Sequence, residues 1–212
     1  MATAVALRDP VAAREAIASA ALLRRSIREY QPEPLPESEI RELLRLAARA
    51  PSAWNLQPWR FIVVRDKQIK ERLQAAANGQ RQVGGAPAVV AVTSDMVGAL
   101  GRVEESLHPA WSEEKRKKTL ASIAAYFRAR SDEQRDQWGR AQTNIALGYL
   151  LLIAETRGLA TSPMQGFDAK AVRELLELPN HVEIVALVSI GRAAEQGLPA
   201  HRLDVDRLIR FI

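Results

Sequence analysis

The chain contains no cysteine. Disulfides, thiolate nucleophiles and cysteine-ligated metals are therefore excluded outright. Its three histidines, His108, His181 and His201, are widely scattered. None has a second histidine at a helical ligand spacing, which argues against a histidine metal site. Neither the GxGxxG nor the GxxxxGK spacing occurs, so no dedicated dinucleotide or phosphate loop is written in the chain. The longest apolar run, Ile145–Ala154, falls far short of the ~20 residues that span a bilayer. Met1–Arg25 is alanine-rich but interrupted by Arg8, Asp9, Pro10, Arg14 and Glu15. It lacks the unbroken apolar core of a signal peptide, and a cytoplasmic protein is expected. There are no repeats, no low-complexity tracts and no interdomain linker. A single domain over residues 1–212 is the expectation.

Of the 212 residues, 47% are hydrophobic and 26% charged, an ordinary balance for a globular chain long enough to bury one substantial core. The net charge of +5 favours anionic partners without implying nucleic acid. The densest basic run, Lys115–Lys118, follows Glu113-Glu114. It reads as a solvated helix face, with no aromatic-basic interleaving or recognition motif beside it.

Helical periodicity predicts helices over Val11–Leu23, Glu37–Ala50, about Asp66–Ala77 and Ala169–Glu177. Strands are predicted at Phe61–Val64, Pro87–Val92, Leu159–Ser162 and His181–Ile190. Asn78–Gly85 reads as a polar glycine-containing loop. Met96–Arg140 reads as a charged helical region, either a cover over a pocket or a peripheral excursion. Asn144–Thr156 is apolar nearly all round, which predicts a central helix buried on most sides. The tail from Gly191 has too little periodic apolar surface to pack independently.

Three stretches carry candidate chemistry. In Arg24-Arg25-Ser26-Ile27-Arg28-Glu29-Tyr30, three guanidinium groups and a hydroxyl lie within five positions, a set suited to a phosphate group or to a solvated turn. In Pro51-Ser52-Ala53-Trp54-Asn55-Leu56-Gln57-Pro58-Trp59-Arg60-Phe61, two prolines bracket a loop rich in non-titrating polar groups. Such amides can hold the edge of a heteroaromatic ring but cannot transfer protons. The third stretch is the turn Pro163-Met164-Gln165-Gly166-Phe167-Asp168.

The order of these three stretches, separated by helices and strands in matching places, resembles the FMN-dependent nitroreductase family from about Leu22 to Ile190, with a weaker tail match at Leu198–Leu203. The resemblance implies an α+β fold: a mixed, mainly antiparallel sheet flanked by helices, in an intertwined homodimer. Two FMN sites would lie at the subunit interface, and the tail, about residues 191–212, would dock on the partner. Carried over residue by residue, Arg24, Arg25 and Ser26 match ligands of the FMN phosphate and ribityl chain. Arg28 matches a basic position beside the flavin pyrimidine edge. Pro51, Ser52, Ala53, Trp54, Asn55 and Gln57 match the segment lent to the partner's flavin. Pro163, Met164, Gln165 and Gly166 match the turn against the isoalloxazine ring, and Arg202 matches a basic tail position near the phosphate.

The chain departs from many relatives at Ala200, where they carry lysine, and at Gln165, where they often carry glutamate. In the Gly79–Gln82 loop, Gln80 or Gln82 stands where relatives place an asparagine and a lysine near the ring. The expected activity is hydride transfer from NADH or NADPH through FMN to nitroaromatics, quinones or similar small acceptors. No nucleic acid or membrane partner is expected. The alternatives are a dehalogenase-like, flavin-destructase-like or dehydrogenase reaction on the same cofactor, and a basic anion- or nucleic-acid-binding module.

Overall fold

A computed structural model describes residues 10–212. The interrupted stretch Met1–Asp9 lies outside the described residues. Helix α1 spans Pro10–Leu23 and leads through an extended segment to α2, Glu37–Ala47. Pro36, with its φ fixed near helical values, and the acids Glu37 and Glu39 open α2, as the positive end of a helix dipole favours. Its buried face is Ile40, Leu43 and Ala47. A 3-10 turn at Ala53–Asn55 precedes strand β1, Trp59–Val64. The Asp66 carboxylate accepts from Ile69 N–H at 2.8 Å and so caps α3, Lys67–Ala76.

The predicted loop at Asn78–Gly85 instead contains a short helix α4, Arg81–Gly85. Two glycines argue for a loop, but Val83 is completely buried and Gln82 nearly so, and that packing overrides weak helix propensity. Strand β2, Ala88–Asp95, is followed by α5, Met96–Gly101, α6, Val103–Ser106, and α7, Glu113–Arg128. Helix α8 runs from Asp132 to Thr156. It therefore starts twelve residues before the apolar segment Asn144–Thr156 and spans about 37 Å. A capping box at Ser131 and Gln134 fixes its start. Strand β3, Ala160–Met164, helix α9, Ala169–Leu175, and strand β4, Val182–Gly191, complete the regular structure apart from a 3-10 turn at Val205–Arg207.

The sheet order is β1-β2-β4-β3, every neighbouring pair antiparallel. The sheet is thus more uniform than the mixed arrangement expected; a parallel component survives in the isolated bridge Ser26–Thr161. Central strands β2 and β4 are buried on both faces. On one face Ala88, Val90, Val188 and Ile190 meet Leu43, Leu147 and Leu150 from α2 and α8. On the other, Val89, Ala91 and Leu187 meet Leu73, Val83 and Val172. Helix α8 approaches the sheet closely at Gly139: a Cβ there would lie 2.5 Å from Ser94 Oγ and from Met96 Cγ.

Helix α8 departs from the expectation of burial on most sides. Gly139, Thr143, Ala146, Leu147, Leu150 and Ala154 form one buried stripe, while Ile145, Tyr149 and Leu152 remain 36–40% exposed. The protomer thus leaves an apolar stripe of its central helix in contact with solvent. Leu22 and Leu23 at the end of α1 and Leu198, Leu208 and Phe211 in the tail are exposed as well. Among the described residues no helix is long and apolar enough to cross a membrane.

Candidate active site

Arg24 continues from α1, its N–H bonded to Ala20 carbonyl at 2.9 Å. The next residues then run beside edge strand β3, with Ser26 bridging Thr161 and Ile27 N–H bonded to Thr161 carbonyl at 3.1 Å. Tyr30 anchors the far end: its hydroxyl donates to Ile27 carbonyl at 2.6 Å and lies 2.8 Å from Ser189 Oγ. Burial pushes this phenol up to about 12, against the Ser189 hydrogen bond that lowers it, so Tyr30 stays a proton donor in this brace.

The three arginines of this segment are held differently. Arg25 Nη1 donates to Leu23 carbonyl. Arg28 places Nη1 3.5 Å from Ser26 carbonyl, and its backbone N–H donates to Glu195 Oε1 at 2.6 Å. Arg24 Nη1 is buried and meets no acceptor. Four side-chain atoms share that condition among the described residues, and the other three are hydroxyl oxygens of Ser94, Thr143 and Thr161. Arg24 therefore carries the one cationic group in the set.

The turn after β3 is held by amides. Gly166 carbonyl accepts from Asn78 Nδ2 at 3.1 Å and from Gln80 Nε2 at 2.8 Å. Gln82 Nε2 reaches Gln80 Oε1 and Met164 Sδ, each at 3.1 Å. Gln165 Nε2 donates to Val185 carbonyl at 3.3 Å, and Asp168 N–H to Ala76 carbonyl at 2.8 Å. An ion pair between Arg81 and Glu29 at 3.1 Å joins this cluster to the arginine segment. Arg24–Tyr30, the 78–82 amides and Pro163–Gly166 thus form one continuous region. Gln80 and Gln82 take a supporting part in it. Asn78 was missed from sequence, where it stood as one more polar loop residue.

The loop from Ser52 to Gln57 has an unusual backbone. Trp54, Asn55 and Gln57 adopt positive φ angles of 52°, 57° and 46°, and none is glycine. Each such residue costs about 1–3 kcal/mol and persists only where its surroundings over-determine it. Here they do. Ala53 N–H donates to Gln142 Oε1 at 2.9 Å, Gln57 N–H to Ser52 Oγ at 3.0 Å, and Asn55 Nδ2 to Ser106 carbonyl at 3.0 Å. Gln57 carbonyl accepts from Arg60 Nη1 at 3.3 Å and Arg102 Nη2 at 3.2 Å. The Trp54 ring packs edge-on against Tyr126 and stacks with Trp138, with centroids 5.0 and 6.3 Å apart. Beside the loop lies a cavity of about 480 Å³ whose lining includes Asn55, Gln57, Arg60, Arg102 and Glu105. Arg60, Arg102, Ser106 and Gln142 were not foreseen. Arg60 lies inside the motif that marked the loop, whereas Arg102 sits in a polar stretch with no pattern of its own.

Within one protomer these two regions do not meet. The arginine segment runs beside β3. Of the predicted turn, Pro163 and Met164 are instead the last residues of β3, paired with Val188 and Leu187, and only Gln165 and Gly166 lie beyond it. The 52–57 loop feeds β1. Those strands are opposite edges of the sheet, three interstrand spacings or about 14 Å apart. Pro51, which ends the approach from α2, is exposed, as is Arg202 in the tail. Arg202 donates to its neighbour His201 at 2.7 Å and joins neither region.

A family model described as "Nitroreductase family" matches residues 21–192. The chain belongs to this family. The nitroreductase match spans all three candidate stretches and stops short of the tail that carries Arg202. Over 191 residues the chain is 48% identical to the NADH dehydrogenase of Thermus thermophilus, covering 90% of this chain and 93% of that protein. It is 31% identical over 173 residues to Protein DrgA of Synechocystis, 81% of each. Among solved structures, an FMN complex from Exiguobacterium sibiricum described as a nitroreductase superposes with a TM-score of 0.84 at 27% identity. The superposition covers 92% of this chain and 97% of that one.

Proposed function

We propose that this nitroreductase-family protein is an FMN-dependent NAD(P)H oxidoreductase. It reduces nitroaromatics, quinones or similar electron-poor acceptors by a ping-pong mechanism, in a homodimer with two shared sites. The observation that carries the reading is the buried, unpartnered Nη1 of Arg24. A phosphate oxygen supplies the anionic acceptor that this atom lacks, and Arg25 and Ser26 stand beside it in sequence to complete the phosphate and ribityl contacts.

Held by these residues, FMN would supply the redox chemistry between the nicotinamide and the acceptor. The chain's own groups bind, orient and set the local charge. Arg28 would supply a cation at the pyrimidine edge, where negative charge would gather on reduction. Gln165 carbonyl accepts from Phe167 N–H at 3.2 Å. Because a trans peptide sets N–H and C=O opposite each other, Gly166 N–H is turned the other way, free to face the ring. The Gly166 carbonyl, clamped by Asn78 and Gln80, keeps that turn in place. All of these amides are uncharged at any working pH, so they position the ring without competing for protons.

The rest of the site comes from the partner. Ser52–Gln57 sits on the sheet edge opposite the arginine segment of its own chain, and a two-fold arrangement brings it to the other subunit's FMN. The exposed apolar stripe of α8 and the exposed end of α1 supply surface for that contact, and the tail, with Arg202, docks on the partner. In this reading the protein is cytoplasmic and its other partners are small molecules, with no role for nucleic acid or membrane.

Steady-state kinetics test the mechanism. With NADH or NADPH varied at several fixed concentrations of a quinone or nitroaromatic, double-reciprocal plots are expected to be parallel. Intersecting lines contradict the ping-pong scheme.

A further inference from the structure

The segment after β2 reaches back over the candidate loop. Asp95 begins it by capping α5, its Oδ1 accepting from Gly98 N–H at 2.7 Å. The Asp95 N–H is bonded to Pro58 carbonyl at 2.8 Å, so α5 and α6 start from the root of the loop. From there two contacts return. Ser106 carbonyl accepts from Asn55 Nδ2, and Arg102 Nη2 donates to Gln57 carbonyl.

The second contact brings a guanidinium to the loop backbone. Arg102 has no carboxylate at ion-pair distance among the described residues, yet its guanidinium is directed to a neutral backbone carbonyl. Arg60, tied to Asp95 at 3.5 Å, donates to the same oxygen. The N–H of Gln57 is held by Ser52 Oγ. Both backbone polar groups of a left-handed, non-glycine residue are therefore pinned, as such a conformation requires. Ser52 and Arg60 are local to the loop, separated from Gln57 by five and three residues. Arg102 comes from 45 residues away and ties Gln57 to the junction between α5 and α6.

We propose that Arg102 is a positioning residue for the cofactor site. By holding Gln57 carbonyl it fixes the 54–57 backbone in the conformation presented to the flavin, so that cofactor binding depends on the placement of α5 and α6. The inference rests on the reading of Ser52–Gln57 as part of the FMN site. Arg102 would act through its contact with the loop backbone.

The test uses the purified flavoprotein with Arg102→Met and Arg102→Lys. A carbonyl oxygen needs one charged donor, not a fork, so lysine satisfies it and methionine does not. R102M is expected to weaken FMN binding by about tenfold and to change the visible circular dichroism of the bound flavin. R102K is expected to stay within about threefold of the original affinity with its spectrum restored. Glu104→Gln, a neighbouring exposed change, leaves both readouts alone. Wild-type affinity and spectrum in R102M overturn the proposal, as does an R102K no better than R102M. If R102M does not fold, R102A takes its place, with the same loss of about tenfold expected and wild-type affinity overturning the proposal. A wild-type protein that holds no FMN defeats the functional reading itself. A wild-type flavoprotein with an indifferent Arg102 defeats only this inference.

Discussion

Arg24 and Arg202 were both candidates for phosphate binding, and the structure treats them differently. Arg202 is exposed and bonded to its own neighbour, so one protomer gives it no site. Arg24, half-buried as a whole, buries one guanidinium nitrogen with no acceptor, and an unsatisfied buried donor opposes folding. Two effects of Arg24→Met follow with opposite signs. A charge-assisted hydrogen bond contributes about 1.5–3 kcal/mol, so FMN affinity should fall at least about tenfold, read by titration of flavin fluorescence. The FMN-free protein should melt at the same temperature or higher, because the unsatisfied donor is gone. Unchanged affinity removes Arg24 from the site. The density of Arg24, Arg25, Ser26 and Arg28 was visible in the sequence, but which of the three arginines lacked a partner was not. That distinction depends on Leu23 and Ser26 carbonyls being near Arg25 and Arg28, a matter of backbone path.

Among the elements, those with a clean period were legible. Ile40, Leu43 and Ala47 announced α2, and the apolar runs at Val89–Val92 and Ile184–Val188 announced the two central strands. Two elements were misjudged for physical reasons. Helix α4 contains Gly84 and Gly85, and the burial of Gln82 and Val83 favours its helical form. The first half of α8 is polar, so its continuity with the apolar half was hidden; the Ser131–Gln134 capping box marks the true start. That box gives an element-scale prediction. Ser131→Ala removes an acceptor for Gln134 N–H, at 3.3 Å, and should cost about 1 kcal/mol. The melting temperature should drop by about 2–4 °C, measured by circular dichroism. A larger loss would mean that α8 depends on its first turn far more than a surface cap allows.

For the molecule as a whole, the sheet order decides how a site can be assembled. With β1 and β3 at opposite edges, the loop and the arginine segment serve the same ligand only when two chains combine. No period or motif in a single sequence reveals that separation; the strand order does. Ile145, Tyr149 and Leu152 on α8 are the surface through which the chains should meet. Sedimentation should therefore show a dimer at micromolar concentration. Tyr149→Glu, which places a charge in that apolar stripe, should shift the protein to monomer and release FMN together. A monomeric protein that keeps its flavin contradicts the shared site. The most direct measurement of the central claim is the visible absorbance spectrum of the purified protein, followed by anaerobic addition of NADH and then of NADPH. The account predicts a yellow protein with the bands of bound oxidised flavin, bleached by at least one of the two nicotinamides and recoloured by a quinone. A colourless protein, or a bound flavin that neither nicotinamide reduces, would contradict it.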